Sequence, residues 1–220
     1  MRLLCVSDTD DSIVYSPGGK QYIGKLDLAL SCGDLPLECY DYISTIYHCD
    51  LCYVYGNHNL QHFNRTAGSK NPNFEKYRPD ELFPIFFGNM IDGKSIYLKK
   101  QDLIIVGLGG CMLYNGGPSQ YSERQMEKRI SKLFPYLLKN KIKYGRYLDI
   151  LLTHAPPFGI GDGEDLCHTG FKCFISFMDK YNPKFLLHGH VHLDDINSVR
   201  EHVYGSTRII NVYNHYLLNI

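Results

Sequence analysis

Five short apolar runs constrain this chain more than any other feature, because each ends in side chains that carry oxygen or nitrogen donors. Leu3 to Val6 leads into Ser7 and Asp8, Leu28 to Leu30 into Cys32, Gly33 and Asp34, and Leu51 to Tyr55 into Gly56, Asn57 and His58. Leu148 to Leu152 leads into Thr153 and His154, and Phe185 to Leu187 into His188, Gly189, His190, Val191 and His192. Uninterrupted apolar runs bounded by glycine or polar turns predict strands buried on both faces, as in sheets covered by helices. Ligands of such sheets sit beyond the carboxyl ends of the strands. Five strand ends offering carboxylate, amide and imidazole groups therefore predict one shared site rather than five solvated turns.

Helical patterns alternate with these runs, which predicts α/β layers. Pro36 suits the first turn of a helix, and Leu37, Tyr40, Ile43 and Tyr47 follow at helical spacing. Ser122 and Gln125 form a capping box ahead of Met126, Ile130, Leu133, Leu137 and Leu138, with Pro135 expected to kink or divide that helix and Gly145 to end it. A third helix is expected from Phe171 to Asp179, its Phe174, Phe177 and Met178 reading as core. The polar stretch between Asn59 and Asp80 has no period and reads as a substrate-facing loop. A length of 220 residues suits one domain spanning residues 1–220.

Lysines and arginines number 23 and aspartates and glutamates 23, so no overall field attracts nucleic acid or an anionic membrane, and neither partner is expected. Of the eight cysteines, Cys5, Cys32 and Cys52 lie in or at the ends of apolar runs, which predicts reduced, buried thiols. Cys49 and Cys52 have the spacing of half a zinc site, but no second pair completes it. No apolar stretch approaches the roughly 18 residues that span a bilayer, and the first strand begins at residue 2 or 3 with no leader before it. A soluble, cytoplasmic protein is expected; nothing in the sequence specifies an oligomeric state.

The donor types suit phosphoryl chemistry. Two divalent metals about 3.5–4 Å apart can share a carboxylate, orient a bridging hydroxide and clamp phosphoryl oxygens during in-line attack. Asp34 is the natural bridge, since Gly33 lets the backbone turn tightly beside the metals. Asn57 offers a neutral carbonyl oxygen. His58, the next residue, suits an acid or electrostatic clamp near the leaving oxygen, or alternatively a partner that holds a neighbouring carboxylate. His190 and His192 can serve the two metals separately if the chain turns after Gly189.

In these motifs the chain resembles the calcineurin-like metallophosphoesterase family. Asp8, Gly33-Asp34, Gly56-Asn57-His58, His154 and Gly189-His190-Val191-His192 occur in the family's order, and the segments Ser31 to Pro36, Gly107 to Tyr121 and Thr153 to Phe171 resemble a little-described bacterial branch of it. The resemblance implies a four-layered α/β/β/α sandwich, two packed mixed sheets flanked by helices, with a dinuclear site at one end. It implies Asp8, Asp34 and His192 on the first metal, Asp34, Asn57, His154 and His190 on the second, and His58 as the catalytic imidazole. Manganese is the expected metal, with iron, magnesium, zinc or nickel compatible.

The chain departs from the family at two positions. The first motif has Asp10, followed by Asp11, where histidine is usual; a carboxylate ligand there, from either aspartate, favours harder ions, and if neither ligates the first metal has one protein ligand fewer. Asn59 stands where the family has Asp or Glu after the catalytic histidine, which weakens support for an imidazolium at His58. His168 and Tyr114 read as substrate contacts. The implied activity is hydrolysis of a small phosphoester, with a nucleotide-like phosphodiester the preferred substrate; the alternative is a metal- or nucleotide-binding regulatory protein with weakened catalysis.

Overall fold

The computed structural model describes residues 1–59, 88–193, 195 and 197–220. The polar stretch expected to face substrate lies, from residue 60 on, outside the described residues. Two sheets make the frame. One orders β1 (Arg2–Ser7), β2 (Leu28–Ser31), β3 (Leu51–Tyr53) and β4 (Asn89–Met90) in parallel, with β13 (Asn214–Asn219) antiparallel against β1. The other has four parallel strands, β6 (Leu103–Leu108), β9 (Ile150–Thr153), β10 (Phe185–His188) and β12 (Thr207–Asn211). Its edges are antiparallel, β5 (Ser95–Leu98) on β6 and β11 (Glu201–Tyr204) on β12. A short pair, β7 (Cys111–Met112) with β8 (Gln120–Tyr121), stands apart from both.

The period-two alternation of strand side chains sorts the core into three layers. Leu3, Cys5, Leu28, Leu30 and Cys52 of the first sheet meet Ile105, Ile150, Leu152, Leu187 and Ile210 of the second, and this is the seam between the sheets. The intervening residues face outward. Leu4, Val6, Ala29 and Tyr53 pack on α1 (Ser12–Tyr15), α2 (Gly19–Ile23) and α3 (Leu37–Tyr47) through Val14, Ile23, Tyr40 and Ile43. Ile104, Val106, Leu151 and Leu186 pack on α4 (Glu123–Tyr144) and α5 (Lys172–Tyr181) through Met126, Leu133, Leu137, Phe174 and Phe177. Each such large apolar side chain contributes about 1.5–3 kcal/mol on burial. The expected α/β/β/α sandwich is the observed architecture, and the strands read as uninterrupted apolar runs because both of their faces are covered.

Helix α4 opens on the expected capping box, with Ser122 Oγ accepting from the Gln125 N–H at 3.3 Å and Gln125 Oε1 accepting from the Ser122 N–H at 2.7 Å. It ends at Gly145, which is left-handed at φ 74°. The helix runs through Pro135 rather than dividing there. Pro135 and Ser131 are both exposed, so the carbonyl deprived of its helical partner can be met by water.

Candidate metal centre

The loops that leave β1, β2 and β3 meet those that leave β9 and β10, and hydrogen bonds knit them together. The Asp8 N–H donates to the Gly33 carbonyl at 3.1 Å, and the Gly189 N–H to the His154 carbonyl at 3.0 Å. Asp8 Oδ2 accepts from the His190 N–H at 3.0 Å, across the two sheets. Three of the residues so placed, Asp8, Asp34 and His190, have left-handed backbones, with φ of 69°, 60° and 66°. Such conformations cost about 1–3 kcal/mol each outside glycine, and they gather at functional sites. Two glycines make the close approach possible. A Cβ on Gly56 would overlap Asp34 Oδ1, and one on Gly189 would overlap Ser7 Oγ and Asp8 Oδ2.

At the centre is His154, fully buried. Its Nδ1 donates to the Cys32 carbonyl at 2.8 Å, which turns Nε2 toward Asp34 Oδ2 at 3.2 Å and Asn57 Oδ1 at 3.0 Å. Asn57 is held in that orientation because its Nδ2 donates to the Tyr114 hydroxyl at 3.3 Å. A carboxylate oxygen, an amide oxygen and an imidazole nitrogen thus converge, and a positive charge among them, as a proton or a metal ion, reconciles the three. Donor atoms of Asp8, Asp34 and His154 lie within 4.8 Å of one another.

The electrostatics agree. Burial pushes the Asp8 carboxyl up, and the Asp34 charge adds to it, against the opposing charge of His154. Burial opposes ionisation of Asp34 too, but His154 and the His58 N–H, which donates to Oδ1 at 2.8 Å, hold it below the usual carboxylate range. Burial alone would lower His154, yet the charge of Asp34, its hydrogen bond and Asp8 raise it to about 9. His190 goes the other way: burial and His154 lower it to about 3, so it is a neutral imidazole. Its Nε2 donates to the Cys167 carbonyl at 2.8 Å, leaving Nδ1 as the free nitrogen. A metal-binding histidine is anchored through its second nitrogen in the same way. Carboxylate, amide and imidazole donors of this kind fit a divalent cation.

The remaining sequence-predicted residues are less central. His58 is exposed, at the rim, with its backbone rather than its ring on Asp34. Asp10 is exposed and stands outside the Asp8, Asp34 and His154 group. Asp11 caps α1, its Oδ1 accepting from the Ile13 N–H at 2.8 Å, and its Oδ2 pairs with His215 Nδ1 at 2.6 Å. His192 is exposed, and its ring stacks on Tyr213 with centroids 4.7 Å apart. The His168 ring lies 5.1 Å from that of His190 and is held by Asp165. In the loop carrying Tyr114, the N–H groups of Tyr114, Asn115 and Gly116 all point at Gln120 Oε1, at 3.1 to 3.2 Å. Those amides make a turn and are not free for a phosphate.

Two contributors had no signal of their own in the sequence. Asn59 attracted notice only as a missing carboxylate, yet it is fully buried and its Oδ1 accepts from the Asp34 N–H at 2.8 Å and the Gly56 N–H at 2.6 Å. Cys167 sits between a run holding Asp162, Glu164 and Asp165 and the imidazole of His168, where nothing in residue type or spacing separates it from a packed thiol.

The calcineurin-like phosphoesterase family profile matches residues 10–194, and the protein belongs to that family. Membership implies a metal-dependent hydrolase of phosphoesters. No protein of curated function matches the chain. One crystal structure is similar at 14% identity and a TM-score of 0.61, over 97% of this chain and 90% of that one. The crystal structure of TT1561 of Thermus thermophilus is similar at 16% identity and a TM-score of 0.57, over 97% of this chain and 89% of that one. Identity this low carries the fold alone.

Proposed function

We propose that the protein hydrolyses a small, nucleotide-like phosphodiester with the help of two divalent ions, manganese by preference. The observation that carries this reading is the convergence of Asp34, Asn57 and the Nε2 of His154 on one point, with Asp8 alongside. Asp8, Asp34, Asn57, His154 and His190 would hold the ions, with His192 joining them if its ring leaves Tyr213 and Asp10 if its carboxylate turns inward. When bound, such ions supply Lewis acidity toward phosphoryl oxygens and a water acidic enough to attack phosphorus.

The chain's own groups do the rest. The carbonyls of Cys32 and Cys167 fix which nitrogen of His154 and His190 is free. His58, exposed at the rim, would meet the leaving oxygen and protonate it. Tyr114 stands beside Asn57, where an aromatic face can receive a base. The nucleotide preference rests on that tyrosine and on the family resemblance. A cytoplasmic location is consistent with eight free cysteines. Among the described residues, no helix is long and apolar enough to cross a membrane.

The test is turnover of a panel of phosphomonoesters and phosphodiesters by manganese-loaded protein, beside Asp34→Asn. Diester turnover at least about a hundredfold above the variant is expected, in line with the loss of a group that binds in the transition state. Equal rates for the two proteins would end the hydrolytic reading.

A further inference from the structure

Next to the oxygen-rich cluster lies a softer one. Donor atoms of Cys167, His168 and His190 lie within 4.8 Å of one another. Each ring is already anchored through one nitrogen. Asp165 Oδ2 holds His168 Nδ1 at 2.7 Å and Asp165 Oδ1 accepts the His168 N–H at 3.0 Å, which leaves Nε2 as the free nitrogen. His190 is anchored through Nε2 on the Cys167 carbonyl. A carboxylate or carbonyl behind an imidazole is the arrangement that orients histidine ligands on metals.

The loop that carries the cluster is itself fixed. The Gly163 N–H donates to the His168 carbonyl at 3.0 Å, the Thr169 N–H to the Asp165 carbonyl at 3.0 Å, and the Gly170 N–H to Asp162 Oδ2 at 3.1 Å. Cys167 lies beside the Tyr114 side chain, whose hydroxyl accepts from Asn57 Nδ2 at 3.3 Å. The thiol therefore faces the same space as the amide of the oxygen-rich cluster. A loop staple made by Asp165 and His168 would need neither a thiol nor a second imidazole beside it.

We propose that Cys167, His168 and His190 form a second, softer metal site, for a divalent ion of the zinc class. Sulfur and imidazole donors select such ions over manganese or magnesium, which prefer oxygen. Binding forms a metal–sulfur bond and releases the thiol proton to solvent. The site shares only His190 with the proposed hydrolytic set. With one free nitrogen, His190 serves one side at a time, and an ion of the zinc class, which imidazole and thiolate hold more tightly than manganese, takes that ligand from the hydrolytic cluster.

Cobalt(II) titration of the manganese-loaded full chain tests this, read as thiolate-to-cobalt charge-transfer absorption in the near ultraviolet. A saturable band at one equivalent, displaced by zinc, is expected. Cys167→Ser should abolish it, and Asp165→Asn, which leaves all three ligands in place, should weaken cobalt binding about 10–100-fold. Asp34→Asn should keep the band, which separates this site from the hydrolytic reading. No band in the wild type, or an undiminished one in Cys167→Ser with its circular dichroism intact, would overturn the proposal.

Discussion

Asn59 shows how a single side chain can hold two site loops at once. Its Oδ1 takes the N–H groups of Asp34 and Gly56, and its Nδ2 donates to the Leu35 carbonyl at 3.2 Å. Those bonds go to the backbone, so the amide acts on the position of Asp34 rather than on the ring of His58. Asn59→Asp keeps the acceptor but sets a second oxygen against the Leu35 carbonyl in a fully buried place. A loss of about 1–3 kcal/mol in urea unfolding is expected, with no gain in turnover. A large gain in turnover would instead mean that the asparagine marks weakened catalysis. Gly189 makes the complementary case, since any Cβ there would overlap Ser7 and Asp8. Gly189→Ala should cost about 1–3 kcal/mol through overpacking and lower metal content per chain, measured by elemental analysis. Full metal loading in that variant would show the Ser7 to Asp8 turn to be softer than its contacts suggest.

At the scale of elements, α4 separates local from tertiary effects. Ser122→Ala removes the cap of this 22-residue helix and should cost about 0.5–2 kcal/mol, roughly 1–8 °C in the thermal midpoint. Pro135→Ala should act in the opposite direction, because it restores an amide hydrogen to an exposed helix interior. A midpoint unchanged by both substitutions would mean that α4 is held by Met126, Leu133 and Leu137 alone. These helix ends were legible in the sequence because caps are local chemistry, and so were the strands, whose apolar runs reflect cover on both faces. Asp34, Asn57 and His154 were legible as candidate site residues because each follows such a run. The roles of Asp10 and Asp11 were not, since the carboxylate of Asp11 is claimed by His215 at the far end of the chain. Stacking of His192 on Tyr213 was hidden for the same reason. The continuity of α4 at Pro135 depended on exposure, which the helical period leaves open.

The whole molecule places its charge problem between its two sheets. Asp8 and Asp34 leave one sheet and His154 leaves the other, so a cation bound among them joins the two halves of the sandwich. Without that cation, Asp8 is a half-buried carboxyl whose ionised form is disfavoured by desolvation and by Asp34, which together outweigh the attraction of His154. Asp8→Asn removes the desolvation cost of that charge, and its oxygen can still accept the His190 N–H. The metal-free variant should therefore be more stable than the metal-free wild type, by about 0.5–2 kcal/mol. Manganese should reverse the order. An ion at a hundredfold excess over its dissociation constant adds about 2.7 kcal/mol to the form that binds it, roughly 5–11 °C at this chain length. Scanning calorimetry with chelator and then with manganese checks both halves in one experiment, with the wild type gaining most of its stability from the metal and Asp8→Asn gaining little. If the chelated variant is less stable than the wild type and manganese still shifts it fully, Asp8 is a structural carboxylate and the cation is held by Asp34, Asn57 and His154 without it.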